Sequence, residues 1–343
     1  MLRQARRTKE TALLAPSPSL SRRRALLAAG AAGASLMLAG KASSQGAFPH
    51  KPIELIVPFP PGSGSDIGAR FYAEQLGRLS GNPVTVRNIP GGNGFIAVST
   101  VLRAEPDGHT VLIGANSVFV TNGVQFKKLP YDPVADFAMV GMLNRAPALL
   151  AVPGNSPHES LKSLVEAARS SPGKLSSGYG ATSYLMFAAQ FYYLAGVQMN
   201  QVAFKGASEV ATALASNVLD AGFIDPGSGL ALAKANRLRL LAVAGDARSP
   251  QLPEVPSFKE SGFADFSAYN WAAAAVPART PPENLARLTG WFQTIRRAEA
   301  TQAFFARSAN EPGNVDGAEL RRFQVAETRR WSDIATLINL QKE

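Results

Sequence analysis

Between Pro58 and Asp66 the chain reads PFPPGSGSD, a run whose residue types suit the capture of an anion. Gly62 and Gly64 let the backbone approach a ligand closely. Ser63 and Ser65 add hydroxyl donors, and Ser65 or Asp66 can cap the helix that follows. The apolar run 53–57 upstream reads as a strand, and 67–79 downstream reads as a helix. The unpaired amides at the start of that helix, and the positive end of its dipole, then face the loop. Pro58, Pro60 and Pro61 stiffen the approach, which predicts a preformed site.

Three readings of this loop compete. For a nucleotide site, Gly62, Gly64 and Gly68 spell G-x-G-x-x-x-G, but no Lys follows as a phosphate loop requires. The next strand, VTVRN, ends in Arg87 and Asn88, where a dinucleotide fold places an acid for the ribose. The second reading is a capped helix that holds nothing. The third is a carboxylate bound by amides, hydroxyls and water, without a Lys to neutralise it.

Composition narrows the choice. The 343 residues suffice for two domains, and 46% apolar with 17% charged is ordinary for a soluble globular protein. There is no Cys, which excludes disulfides, thiolate catalysis, Cys-ligated metals and a lipid-anchored Cys. The net charge of +10 sits mainly at the N-terminus: residues 1–44 carry eight of the 35 Lys and Arg but one of the 25 acids. The remaining 27 bases and 24 acids leave no footprint for nucleic acid. Within 1–44, SRRRALLAAGAAGASLMLAG joins a basic stretch to an apolar run. KASSQGA follows, with Ala42 and Ser44 suited to cleavage after Ser44. This is the pattern of a signal peptide. Arg22 and Arg23 resemble a twin-arginine pair, and the run is too short for a bilayer span. A soluble periplasmic protein is expected.

Beyond residue 48, short β-like runs alternate with helical stretches. Strands are predicted at 53–57, 84–88, 110–114, 138–143, 149–152, 175–177, 201–204, 221–224 and 238–244. Helices are predicted at 67–79, 95–104, 161–170, 184–195, 208–216, 229–234, 282–298, 302–308 and 317–340. This alternation argues for an α/β architecture with largely parallel sheets. Ser156 and Pro157 suit the start of one helix and Ser208 the cap of another.

The loop also keeps specific company. KPIELIVPFPPGSGSDIGAR, VRNIPGGNGFIAVSTVLRAEPDGHTVLIGANS, KKLPYDPVADFAMVG, VAFKGASEVATALASNVLDAGFID, RLRLLAVAGDARSPQLPEVPSFKESG and VPARTPPENLARL occur in that order. Together they resemble the substrate-binding proteins of tripartite tricarboxylate transporters, the Bug-type family, over nearly the whole mature chain. LPYDPVADF and RSPQLPEVP carry most of that resemblance. It implies a type II periplasmic-binding-protein fold: two α/β lobes with a central ligand cleft. Lobe 1 would be 48–147 plus 273–343, lobe 2 would be 148–272, and the crossings would fall near 146–151 and 270–275. It further implies a monomeric periplasmic receptor that binds a small carboxylate and delivers it to membrane permease subunits, with no cofactor.

Carried over by position, the cleft would be lined by Phe59, Pro61, Gly62, Ser63, Gly64, Ser65 and Asp66 of the first loop. Asn116, Ser117 and Phe119 would follow the third strand. The second lobe would add Tyr179, Gly180, Ala181, Thr182 and Ser183, then Phe204, Lys205 and Gly206, and finally Asp225. GSGSD stands where the family usually has GGGTD, and Tyr184 stands near a His found in many members. Tyr179 and Phe204 could stack on a flat ligand, with Phe59 and Phe119 opposite, or all four could belong to the core. Lys205 could meet a second carboxylate. Asp225 could orient water, cap the next helix, or bind an ammonium or hydroxyl group.

Catalysis has little support. His50, His109 and His158 lack metal-ligand spacing, so no metal is expected, and PGSGL at 226–230 fails the nucleophile-elbow pattern at its first position. Asp66 and Asp225 could face each other as a carboxylate pair of the kind glycoside hydrolysis uses. A second functional reading keeps the receptor but has it signal to a sensor protein.

Overall fold

The computed structural model describes residues 47–245 and 247–343; the expected signal segment and its cleavage point lie outside them. Two β-sheets form the frame. The first holds β1 (Ile53–Val57), β2 (Val84–Asn88), β3 (Thr110–Ala115), β4 (Phe137–Pro147), β10 (Tyr269–Pro277) and β11 (Glu311–Pro312), in the order β11-β4-β10-β3-β1-β2. The second holds β5 (Leu149–Pro153), β6 (Ser176–Tyr179), β7 (Asn200–Ala203), β8 (Ala221–Ile224) and β9 (Leu238–Val243), in the order β7-β6-β8-β5-β9.

Helices connect and cover these sheets: α1 (Gly64–Ser80), α2 (Phe95–Arg103), the short α3 (Asn122–Gln125), α4 (Leu161–Ser170), α5 (Thr182–Ala195), α6 (Ala207–Ala215), α7 (Pro226–Lys234), α8 (Pro282–Arg297), α9 (Glu299–Ala306) and α10 (Gly317–Leu337). A π-helical turn, Ser117–Thr121, precedes α3. Among the described residues no helix is long and apolar enough to cross a membrane.

Parallel pairing joins β1 to β2 and β3, and β6 to β7 and β8, as strand–helix–strand units require. The alternation predicts largely parallel sheets, but each sheet also holds a strand set against its neighbours. These are β10 between β3 and β4, and β5 between β8 and β9. The reason lies at the crossing. Only Ala148 separates β4 from β5, so the chain enters the second sheet with no helix to reverse it. Three alanine backbones stitch the crossing: Ala148 N–H donates to Ala268 O at 2.9 Å, Ala244 N–H to Ala148 O at 2.8 Å, and Ala268 N–H to Ala244 O at 3.2 Å.

β10 is the long strand that sequence reading missed, along with the two-residue β11 and the short α3. Its Ala272–Ala275 run has weak strand propensity, yet all four residues are buried in mid-sheet. Neighbours on both sides satisfy the backbone there, and pairing outweighs propensity. β10 joins the first sheet from Tyr269, ahead of the expected entry at 273. Two caps also shift. Ser160 caps α4 in a reciprocal pair with Ser163, while Ser156 accepts from the His158 amide outside the helix. Gly206, not Ser208, stands at the start of α6.

α10 ties the two halves together. Its Gln324 side chain donates to Phe119 O at 2.8 Å beside the first sheet. Its fully buried Trp331 packs 5.3 Å, ring centre to ring centre, from Phe187 of α5 beside the second sheet.

Candidate functional site

β1 ends at Val57, and the chain turns through Gly62, whose φ of +80° lies in the left-handed region that favours glycine. Ser63 is the N-cap of α1, its hydroxyl accepting from the Asp66 amide at 3.3 Å. Asp66 reaches back in return, and its Oδ2 accepts from the Gly62 amide at 2.9 Å. Its carboxylate also accepts from Asn88 Nδ2 at 2.9 Å and from Arg70 Nε at 3.1 Å. Burial opposes ionisation of Asp66, but Arg70, the Gly62 amide and Asn88 outweigh it and hold the carboxyl below its usual range. The loop is therefore preformed by its own acid. That acid consumes the Gly62 amide, while Gly64 and Ser65 at the helix tip line the cleft.

A second carboxylate arrives from the other sheet. Asp225 follows β8 and caps α7, with Oδ1 accepting from the Ser228 amide at 2.8 Å. Oδ2 accepts from Ser228 Oγ at 3.1 Å and from the Tyr184 hydroxyl of α5 at 3.0 Å. The Gly64 amide of α1 also donates to this carboxylate. The approach is so close that a Cβ on Gly64 would stand 2.8 Å from Asp225 Oδ1, and one on Gly227 would stand 2.9 Å from Gly64 Cα. Two helix N-termini, from opposite sheets, meet at one carboxylate. Burial pushes Asp225 up from the usual carboxylate range, against the hydrogen bonds from Ser228 and Tyr184. Burial, then the Asp225 charge, pushes the Tyr184 hydroxyl well up.

Beside this junction lies a narrow cleft with about 470 Å³ of space between protein atoms, open solvent included. Of the residues predicted from sequence, it is lined by Phe59, Ser63, Gly64, Ser65, Ala181, Ser183 and Asp225. A neighbouring recess of about 860 Å³ shares Phe59 and Ala181 and adds Ser117, Gly180, Thr182, Phe204 and Lys205. Thr182 is occupied: its hydroxyl lies 2.7 Å from Thr121 Oγ1 and donates to Asn122 Oδ1 at 2.7 Å, clasping the two sheets' halves together.

The other predicted residues line neither space. Asp66 is turned to the back of the loop, away from Asp225, so the two acids do not form a facing pair. Pro61 and Gly62 are exposed. Gly206 packs its backbone under Pro60, where a Cβ would stand 2.5 Å from the Pro60 ring. Asn116 donates to Tyr269 O at 3.4 Å in a buried position. Phe119 is core, stacked on Trp271 with ring centres 6.0 Å apart. Tyr179 is half-buried against the core. Lys205 is exposed, and no Lys or Arg lines the cleft among the described residues.

Sequence reasoning missed the opposite wall. Ala115, Asn144 and Ala146 come from β3 and β4, Asn270, Trp271 and Ala272 from β10, and Tyr184, Ala207 and Asn310 from helices and loops. Four buried polar atoms on this lining have no hydrogen-bond partner: Ser183 Oγ, Asn144 Oδ1, Asn270 Oδ1 and Trp271 Nε1. Native proteins leave few such atoms, and their concentration marks a surface built to meet a polar guest. The signal available in sequence was the polar pair Asn270 and Trp271 beside an alanine run.

Away from the cleft, His50, Asp107 and His109 bring ligand atoms within 4.8 Å of one another, a proximity that their spacing in sequence does not reveal. His109 Nε2 accepts from the His50 amide at 3.3 Å, and Nδ1 lies 3.1 Å from Asp107 Oδ1. Lys51 Nζ sits 2.7 Å from Asp107 Oδ2.

A pair of α/β sheets linked by crossing strands, with an uncharged-donor cleft between them, defines a periplasmic-binding-protein fold. The profile of the tripartite tricarboxylate transporter family receptor matches residues 68–340, and the chain belongs to that family. It is 32% identical over 321 residues to the UPF0065 protein of the tcbD–tcbE intergenic region of Pseudomonas sp. strain P51, covering 92% of this chain and 94% of that one. It is 28% identical to Protein BugT of Bordetella pertussis, covering 84% and 89%. Among solved structures, R. palustris Rpa4515 with adipate superposes with a TM-score of 0.82 at 28% identity, covering 86% of this chain and all of that one. The family comprises solute-binding receptors, and the chain is a binding protein rather than an enzyme.

Proposed function

We propose that this protein is a periplasmic receptor that binds a small organic carboxylate in the cleft between two lobes and delivers it to a tripartite permease. The lobes are 48–147 with 273–343, and 148–272, with β10 crossing the second boundary from Tyr269, and the protein works as a monomer. The carboxylate docks at the tip of α1 on the Ser65 amide, assisted by the Ser65 and Ser183 hydroxyls, Trp271 Nε1 and ordered water. The observation that carries this reading is the set of four unpartnered buried polar atoms around a cleft that ends on that helix tip. The adipate held by R. palustris Rpa4515 supports a carboxylate as the guest. Closure over the ligand would create a surface that the permease distinguishes from the open form.

Thermal-shift screening of the mature protein against mono-, di- and aromatic carboxylates tests the reading. Ligand at about 100 times its Kd is expected to add roughly 2.7 kcal/mol of stability, seen as a clear rise in melting temperature. Stabilisation by nucleotides or cations alone would refute it.

A further inference from the structure

The cleft already contains a carboxylate. Asp225 is 8% exposed, sits where the N-termini of α1 and α7 meet, and draws its partners from neutral groups: the Gly64 and Ser228 amides, Ser228 Oγ and the Tyr184 hydroxyl. No Lys or Arg lines the cleft among the described residues. The charged and titratable groups on the elements packed around it are engaged elsewhere. On α1, Asp66 is paired with Arg70 at 3.0 Å. On α6, Glu209 accepts from the Lys205 amide at 3.1 Å. On α7, Lys234 lies at the far end, and on β9, Arg239 donates to Ser156 O at 2.9 Å. Among the described residues, Tyr184 is the one titratable group that hydrogen-bonds Asp225.

A ligand carboxylate entering this space would set two negative charges side by side in a closed, low-dielectric volume with no cation between them. Like charges so placed cannot both stay ionised without a large cost. Resting on the proposed function, we infer that Asp225 is a specificity-determining residue that makes charge compensation a condition of binding: each carboxylate must bring one positive charge into the closed cleft, either its own ammonium group or a proton taken up at Asp225. An amino acid meets the condition by itself, its ammonium hydrogen-bonding Asp225 and its carboxylate meeting the α1 tip. A plain carboxylate meets it with a proton from solvent, after which Asp225 becomes a donor to the guest. The upward shift of Asp225 by burial is in keeping with this.

Matched pairs differing by one ammonium group test the inference: succinate and aspartate, glutarate and glutamate, propionate and alanine. Calorimetry on the mature protein from about pH 6 to about pH 9, in two buffers of different ionisation enthalpy, reads both affinity and proton uptake. In the alkaline part of that range, the plain acid is expected to take up one proton and to lose about tenfold in affinity per pH unit. The amino acid is expected to bind with no uptake and a flat profile. Asp225→Asn is the informative variant, because Asn is also a strong N-cap and can accept from the Ser228 amide. It should abolish the proton uptake, strengthen the plain acid at high pH by at least about tenfold, and weaken the amino acid by a similar factor. A role confined to capping would weaken both members of a pair alike, and that result overturns the inference. So does a plain acid that binds the wild-type protein without proton uptake near pH 9. Failure of every carboxylate to bind would instead remove the proposed function, and this inference with it.

Discussion

Two aspartates stand at the same helix tip and have opposite fates. Asp66 lies behind the loop with Arg70, Asn88 and the Gly62 amide around it, and its carboxyl is held below the usual range. Asp225 lies in front, meets neutral donors alone, and is pushed above that range by burial. Both are almost shut off from solvent, but Asp225 lies deeper in the protein, and Asp66 alone has a guanidinium beside it. A carboxylate with a cation partner serves as a structural pin, whereas one without a cation stays responsive to what enters the cleft. The spacing offers Asp66 a partner in Arg70, four residues on along α1, and offers Asp225 none.

Blocking the junction should have the largest effect. Gly64→Val places a Cβ against Asp225 while leaving α1 intact, so the closed form is obstructed. Affinity for the best carboxylate is expected to fall by about 100-fold or more, as closure costs some 3 kcal/mol extra. Calorimetry measures the loss and small-angle scattering the more open shape; an unaltered Kd would show that closure at Gly64 is not needed.

Removing the pin comes next. Asp66→Ala strands the Gly62 amide and the Asn88 side chain, and a loss of about 2–3 kcal/mol is expected in urea unfolding. The pH dependence of stability separates the two acids more sharply. Asp66 has a depressed folded pKa, so its contribution is present above the ordinary Asp value of 3.8 and is lost as pH falls through the folded pKa. Asp225 has a raised folded pKa, so its contribution is complete below that ordinary value and is lost as pH rises through the folded pKa. Urea midpoints followed across pH should therefore lose their acid limb in Asp66→Asn and their alkaline decline in Asp225→Asn. Identical profiles for both variants would erase the distinction drawn between them.

Smaller effects probe the cleft wall and the loop. Trp271→Phe keeps the packing on Phe119 but deletes the unpartnered Nε1–H. An affinity loss of roughly fivefold, about 1 kcal/mol, is expected with little change in melting temperature. Gly62→Ala meets no atom within 4 Å, so its cost is confined to the left-handed backbone, about 1 kcal/mol of stability, with binding retained. If Gly62→Ala instead abolished binding, the Gly62 amide would belong to the cradle after all.

Much of this was legible before the structure. The Gly/Ser loop read as a strand-to-helix turn with a capped helix, and β1 is where residue types placed it, but the cap of α1 is Ser63 rather than Ser65 or Asp66, and the helix opens at Gly64 rather than near 67. The capping option for Asp225 was likewise readable from its place before Pro226 at a helix start. The far wall of the cleft was not. Asn144, Asn270 and Trp271 sit on two strands that are distant in sequence and adjacent in the sheet, and an alanine run disguises one of those strands.

Sequence by itself determined the α/β alternation, the Gly/Ser turn at a helix start, and the family, because local periodicity, caps and turn chemistry act over a few residues and leave their mark in order. Tertiary structure alone decided that Asp225 met no cation, which aromatics became core, and which polar atoms lined the cleft. Those outcomes depend on what a side chain meets from elements distant in sequence, and burial there is set by neighbours that no short stretch of chain contains.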